Sequence, residues 1–274
     1  TNSAMVASTG MDSGKRIFAK MISSDAPSMR ADSDRLDGTP SKKVFVTMVF
    51  DEKGKMLTGG TVESMAALLE GLKVDGIGVN CGLGPAQMIP IVRKLLEVTS
   101  LPVIVNPNAG LPRSENGKTV YDIDEEEFSE RMREIADMGA VIVGGCCGTT
   151  PAHITKVVQK CREIPVVWPE KKRRTVVSSY CRAVEIGKDP VIIGERINPT
   201  GKSKFKQALR DHNMEYILRE GLTQQEKGAH ILDVNVGLPE IDEPAMMEEA
   251  VKELQSVVEV GGQAVLGRQN LYST

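Results

Sequence analysis

Aromatic residues are scarce. Phe, Tyr and Trp together make up 4% of the 274 residues, with a single Trp. Any core must therefore be built from Val, Ile, Leu, Ala and Met. A surplus of one charge is also missing: 34 Lys and Arg stand against 37 Asp and Glu, a net charge of -3. That balance argues against nucleic acid as a partner, since a basic stripe would be needed to bind it. No apolar run approaches the length of a membrane span, which argues against a membrane role. No charged-then-apolar leader pattern is legible. Cysteines number five, an odd count too sparse for a disulfide framework, so the expected setting is a reducing cytoplasm.

What is present is strand–helix alternation. From Lys43 onward, Val44–Phe50 is a nearly continuous apolar run, as for a strand buried on both faces. A helix is predicted over Thr61–Lys73, then a strand at Gly76–Asn80, a helix at Pro85–Val98 and a strand at Pro102–Val105. A loop over Pro107–Asp122 precedes a helix whose acidic start, Asp124 to Glu127, suits the positive end of the helix dipole. A strand at Val141–Val143 and a helix over Pro151–Arg162 complete four strand–helix units. Trp168–Arg174 is charged and reads as a solvated linker, its short cationic run being too small for a nucleic-acid patch. Alternation resumes with a strand at Val191–Gly194, a helix over Met214–Lys227, a strand at His230–Asn235 and a helix over Pro244–Val258. The pattern is lost from Gly261 to Thr274. Residues 1–42 lack sustained periodicity and are expected to be mostly disordered, with a short helix near Lys15–Met21.

Such alternation predicts an α/β fold of parallel strands. The polar and glycine-rich segments follow the strands, where (β/α) barrels keep their active sites. The most informative of these segments is Gly144-Gly145-Cys146-Cys147-Gly148-Thr149-Thr150. Neighbouring residues on a strand face opposite ways, so two adjacent thiols converge only where the strand has ended and glycine lets the backbone turn. Cys81 closes another predicted strand in Gly78-Val79-Asn80-Cys81-Gly82. Three thiolates from two strand ends suffice for a zinc ion with its fourth position open, which points to chemistry rather than scaffolding. Thiolate ligands favour binding an incoming thiol and lowering its pKa, hence alkyl transfer to sulfur, over hydrolysis. By spacing alone, buried core cysteines or a strained vicinal disulfide remain alternatives. Cys161 and Cys181 have no partner at ligand spacing and read as structural, and His153 reads as an early helix residue rather than a ligand.

Gly144–Ile154, Gly78-Val79-Asn80-Cys81 with Gly84-Pro85, and Pro107–Pro112 together resemble the homocysteine S-methyltransferase family, in the family's order, over about residues 43–165. The resemblance implies that Cys81, Cys146 and Cys147 bind zinc, that zinc binds the homocysteine thiolate, and that Asn80 and Asn108 line the substrate pocket.

A second pair of motifs, Glu195-Arg196-Ile197-Asn198-Pro199-Thr200-Gly201 and Asp233-Val234-Asn235-Val236-Gly237, puts carboxylates and amides at predicted strand ends. A carboxylate can take the paired N–H groups of a pterin ring as a bidentate hydrogen bond, and Asn can match the ring's amide edge. The alternative is that Asp233 and Asn235 only cap a turn. The pair resembles the start of a methyltetrahydrofolate-type pterin-binding domain over about residues 188–260. That resemblance implies Asp233 as a pterin ligand, with Asn198, Glu195 and Asn235 around it.

The two domains in this order resemble the cobalamin-dependent methionine synthase family. The expected architecture is two partial (β/α)8 TIM-type barrels. Residues 43–165 would be half of a homocysteine-binding zinc barrel, 166–189 a linker and 190–260 part of a pterin-binding barrel, with 1–42 and 261–274 unassigned. The resemblance implies methyl transfer from methyltetrahydrofolate through cobalamin to homocysteine. No Asp-x-His-x-x-Gly cobalamin pattern occurs in the chain, so the cobalamin-binding module would be a separate partner. A cobalamin-independent homocysteine S-methyltransferase and an inactive zinc-binding remnant are the other expectations.

Overall fold

The computed structural model describes residues 5–7, 43–115, 117–258 and 264–268. Along these, the elements are β1 (Met5–Ala7), β2 (Phe45–Met48), α1 (Val62–Gly71), β3 (Gly76–Asn80), α2 (Pro85–Val98), β4 (Val103–Asn106), β5 (Arg113–Glu115), β6 (Lys118–Val120), α3 (Glu125–Asp137), β7 (Ile142–Gly144) and α4 (Pro151–Cys161). There follow β8 (Thr175–Ser178), β9 (Ala183–Ile186), β10 (Ile193–Ile197), α5 (Ser203–Arg210), α6 (Met214–Glu226), β11 (Ile231–Asn235), α7 (Glu243–Val258) and β12 (Ala264–Arg268). The fold is α/β, with parallel strands alternating with helices. The chain divides into two units, the first holding Thr1–Thr58 and Leu69–Lys172, the second Gly59–Leu68 and Arg173–Thr274.

The first unit is built on a five-stranded parallel sheet in the order β1-β7-β4-β3-β2. β3 and β4 lie in a sheet covered on both faces: Ile77, Val79, Val103 and Val105 are buried on one, and Gly78 and Ile104 on the other. α2 begins with Pro85 in its first turn, where a missing N–H costs nothing, and buries Met88, Ile91, Val92 and Leu95. α3 is capped by Asp124, whose side chain accepts the N–H groups of Glu126 and Glu127 at 3.0 and 2.9 Å. Its apolar stripe of Phe128, Met132 and Ile135 is buried. On its outer side Glu126 pairs with Lys156 and Lys160 of α4, which holds its carboxyl near 2, well below the usual range, through hydrogen bonds to both ammonium groups. Glu126 is exposed and this ion-pair triad adds little stability.

The second unit carries a three-stranded parallel sheet, β10-β11-β12. Leu232 and Val234 of β11 face a core closed by Phe205, Leu209, Ile217, Met246, Leu254 and Val258. Ile231, on the opposite face, packs with Val184, Val177 and Val191.

Four expectations from the sequence need correction. The carboxyl-terminal segment expected to lose the pattern holds β12, paired in register with β11 from Ala264↔Ile231 to Arg268↔Asn235. The segment expected as a linker contains an antiparallel hairpin, β8 with β9, because Val176, Val177, Val184 and Ile186 supply enough β-branched residues to pair. The amino-terminal stretch expected to be disordered contributes β1, paired in parallel with β7. β10 starts later than predicted, so Glu195 lies within it instead of after it. The helix expected near Lys15–Met21 lies outside the described residues. Among the described residues no helix is long and apolar enough to cross a membrane.

Candidate metal centre

β3 and β7 end on the same side of the first sheet, with β4 between them. The three loops that leave these strands are stitched together by backbone. Cys81 N–H donates to Asn106 O at 3.0 Å, Cys146 N–H to Pro107 O at 2.7 Å, and Ala109 N–H to Cys147 O at 2.9 Å. Cys81 has φ 57° and the following Gly82 φ 76°. A left-handed residue that is not glycine costs roughly 1–2 kcal/mol and is a mark of functional sites. Here it turns the chain out of β3 at the residue whose sulfur comes within 3.7 Å of that of Cys147. Gly148, with φ 79°, makes the corresponding turn after Cys147.

The result is a cluster of three sulfurs, from Cys81, Cys146 and Cys147, that all lie within 4.8 Å of one another. The Cys81–Cys147 pair is 3.7 Å apart and the Cys146–Cys147 pair 3.9 Å. Tetrahedral zinc with sulfur at about 2.3 Å requires sulfurs about 3.8 Å apart, so the spacing suits that ion. The electrostatics point the same way. Burial pushes the Cys81 thiol up, but the Gly82 N–H and hydrogen bonds from Cys147, Cys146 and Asn108 outweigh it and leave it below the ordinary thiol range. Burial, then the charge of Cys81 and Cys147, pushes Cys146 up to about 12. Three thiols this close cannot all ionise without a cation among them, and a divalent ion would reverse that penalty.

Asn108, expected in the substrate pocket, is buried at 3% exposure. Its Oδ1 accepts the Cys147 N–H at 3.1 Å and its backbone N–H donates to Leu83 O at 2.9 Å, so it braces both cysteine loops. Asn80 is the last residue of β3, opposite Asn106 of β4. Thr149 Oγ1 donates to Cys146 O at 2.7 Å. His153 is committed elsewhere: Nδ1 accepts the Thr150 N–H at 3.3 Å, and Nε2 faces Ile123 O at 3.0 Å, which places the ring proton on Nε2. Cys161 is fully buried, and burial pushes it up to about 11, which makes it an inert core thiol. Cys181 lies beside Gly59.

Tyr121 is the residue that the sequence did not single out. It follows β6 directly, and its ring lies against the backbone of Gly148, where an added Cβ would stand 2.3 Å from its Cγ. Burial, then the charge of Cys147, holds the phenol above its ordinary value. The only hint in the sequence is Gly148, whose bare backbone makes room for a neighbouring ring.

In the second unit, Gly194 pairs with Leu232 and Ile197 with Val234, so Glu195 and Arg196 together oppose Asp233 across a β-bulge. Asp233 and Asn235 share a face of β11 with Ile231. Asn198 donates through Nδ2 to Glu195 and accepts the Thr200 N–H at 2.9 Å. Asn235 accepts the Gly237 N–H at 2.8 Å. Both asparagines therefore shape the turns that follow their strands. Lys202 stands 3.7 Å from Glu195.

The profile of the homocysteine S-methyltransferase family matches residues 10–161, more than half of the chain. It starts well ahead of Lys43, where the visible motifs begin. A methionine synthase of Mycobacterium leprae is 37% identical over 203 residues, covering 70% of this chain and 17% of that protein. One from Mycobacterium tuberculosis is 36% identical over 196 residues, covering 70% of this chain and 16% of that protein. The chain thus spans about a sixth of the length of these curated relatives. A crystal structure of a homocysteine methyltransferase from Escherichia coli, in metallated form, has 26% sequence identity and a TM-score of 0.33 over 43% of this chain and 35% of that one. The profile match takes in both cysteine loops and the strands that carry them, and on that ground the chain belongs to the homocysteine S-methyltransferase family.

Proposed function

We propose that the first unit holds zinc on Cys81, Cys146 and Cys147 and offers its fourth position to the thiol of homocysteine, as one half of a methyl transfer that makes methionine. The observation that carries this is the sulfur triangle with 3.7 and 3.9 Å edges. When bound, zinc would supply Lewis acidity that lowers the pKa of an incoming thiol. The chain's own residues do the rest. Gly82 N–H and Asn108 stabilise the Cys81 thiolate, and Thr149 and the Pro107 carbonyl fix the Cys146 turn. The exposed position of Cys147 leaves the cluster open to a substrate.

Both sheets are, in this reading, segments of (β/α)8 barrels, with residues 43–165 in the homocysteine barrel and 190–260 in the pterin barrel. The methyl group would come from methyltetrahydrofolate, held by Asp233 with Asn198, Glu195 and Asn235 around it. It would pass through cobalamin carried on a separate module. The names of the Mycobacterium relatives support this assignment.

Titrating the zinc-loaded chain with homocysteine at neutral pH is expected to show saturable binding with release of the thiol proton, read by calorimetry in buffers of different ionisation enthalpy. Binding without proton release, or no binding, would overturn the thiolate role. In the second unit, Asp233→Asn replaces one of the two acceptor oxygens by an NH2 donor, so the side chain can no longer take a side-by-side pair of N–H groups on two oxygens. A hydrogen bond to a charged group is worth about 1.5–3 kcal/mol, so methyltetrahydrofolate binding should weaken roughly 10- to 100-fold. Affinity equal to the parent's in a fluorescence titration would remove Asp233 from the pterin site.

A further inference from the structure

We infer that Gln224 is a positioning residue of the second unit's site, its amide reaching from α6 to lock the bulge of β10 that sets Glu195 and Arg196 opposite Asp233. The inference rests on the pterin reading above and deepens it.

Gln224 stands near the end of α6 and is buried at 5% exposure. Both ends of its amide are engaged: Oε1 accepts the Arg196 N–H at 2.7 Å, and Nε2 donates to Glu220 O at 3.0 Å. A bulge leaves a residue of the strand out of the ladder, and a buried N–H without a partner is costly. Gln224 supplies that partner. The strand makes room for it, since a Cβ at Gly194 would lie 2.6 Å from Gln224 Oε1 and 3.0 Å from its Cδ. Glu220, one turn earlier on α6, accepts Arg196 Nε at 3.3 Å. α6 therefore grips Arg196 by backbone and by side chain. From there the hold passes into the turn: Arg196 O accepts the Asn198 N–H at 2.9 Å and Lys202 Nζ at 3.2 Å, and the Asn198 amide donates to Glu195. The Cβ built on Gly194 would also lie 3.2 Å from Leu232 Cδ2, so the Gln224 amide is on the Leu232 face of the sheet. Asp233 belongs to the opposite face. Gln224 thus acts on a ligand of Asp233 through the β10 backbone, not by contact.

Two variants release the bulge. Gln224→Met keeps the length and removes the acceptor. Gly194→Ala keeps Gln224 and pushes its flexible end off the Arg196 N–H. Methyltetrahydrofolate affinity of the full chain, read by fluorescence titration, should fall about tenfold in each, the size of one hydrogen bond lost. In a Glu195→Gln background the same changes should cost less than about twofold, because the group they position is already altered. That coupling supports the role. Losses of equal size in both backgrounds overturn it, as does parental affinity in the variants. A residue that serves stability alone lowers the urea midpoint and shows no coupling to Glu195. Gly194→Ala carries the test by itself if Gln224→Met does not fold. A parent chain that does not bind methyltetrahydrofolate overturns the pterin reading together with this role, whereas a binding parent with equally tight variants overturns this role alone.

Discussion

Cys146→Ser is expected to weaken zinc binding sharply while leaving the chain folded. The serine oxygen is smaller, harder and far less acidic than the thiol, so it cannot replace a soft anionic ligand. Zinc binding by small structural sites is worth about 10–16 kcal/mol. Shared over four donors, one donor accounts for about 3 kcal/mol, on the order of a hundredfold in Kd. Homocysteine binding should fall with it, since the substrate thiol would be the fourth donor of the same ion. The backbone around Cys146 needs no sulfur: its N–H binds Pro107 O and its carbonyl receives Thr149 Oγ1. Far-ultraviolet circular dichroism should therefore match the parent. Metal analysis after dialysis decides the matter: a variant that keeps parental zinc would overturn the ligand assignment.

Gly78→Ala should do the opposite, breaking the fold with no loss of a ligand. Gly78 lies in β3, in register with Ile104 of β4. A Cβ at Gly78 would stand 2.0 Å from the Ile104 carbonyl oxygen and 2.7 Å from its carbon. Ordinary contacts are about 3.5–4.0 Å. The obstacle is backbone inside a parallel sheet, which cannot turn aside as a side chain can. Overpacking of this kind belongs with the largest single-residue effects, roughly 4 kcal/mol or more. With a urea dependence of about 1–3 kcal/mol per molar, the unfolding midpoint should fall by at least a molar unit. Gly71→Ala is the control, because nothing lies within 4 Å of a Cβ there. A Gly78→Ala midpoint equal to the control's would remove the steric argument.

The elements legible in the sequence were those whose burial is simple. β3, β4 and the helices α2, α3 and α4 carry either an apolar run or a clean apolar stripe, and both patterns follow directly from burial on two faces or one. α5 was missed because its buried residues, Phe205, Ala208 and Leu209, sit among cations in only eight residues. The β5–β6 hairpin is exposed and polar, so no periodicity marks it. β12 is the reverse case: Ala264–Arg268 follows two glycines, and its place is set by β11, not by its own pattern. The three cysteines of the site were legible because glycine-flanked adjacent thiols at a strand end have few structural uses. Tyr121 was not, because only folding carries it from beyond β6 to the cysteine loop. The bulge that sets Glu195 against Asp233 was also hidden, since it depends on cross-strand register.

The path of the chain between the sulfurs has a consequence for its lifetime. Cys81 and Cys147 lie 66 positions apart, at the ends of β3 and β7, which β4 separates, so an ion shared between them ties two non-adjacent strand ends like a reversible cross-link. An ion at 100 times its Kd would add about 2.7 kcal/mol to the folded state. Stability of the first unit would then follow the free metal in the cell. Under metal starvation a larger fraction of the chain would stand open to proteases, and the protein would be lost by degradation as well as by the idling of its site.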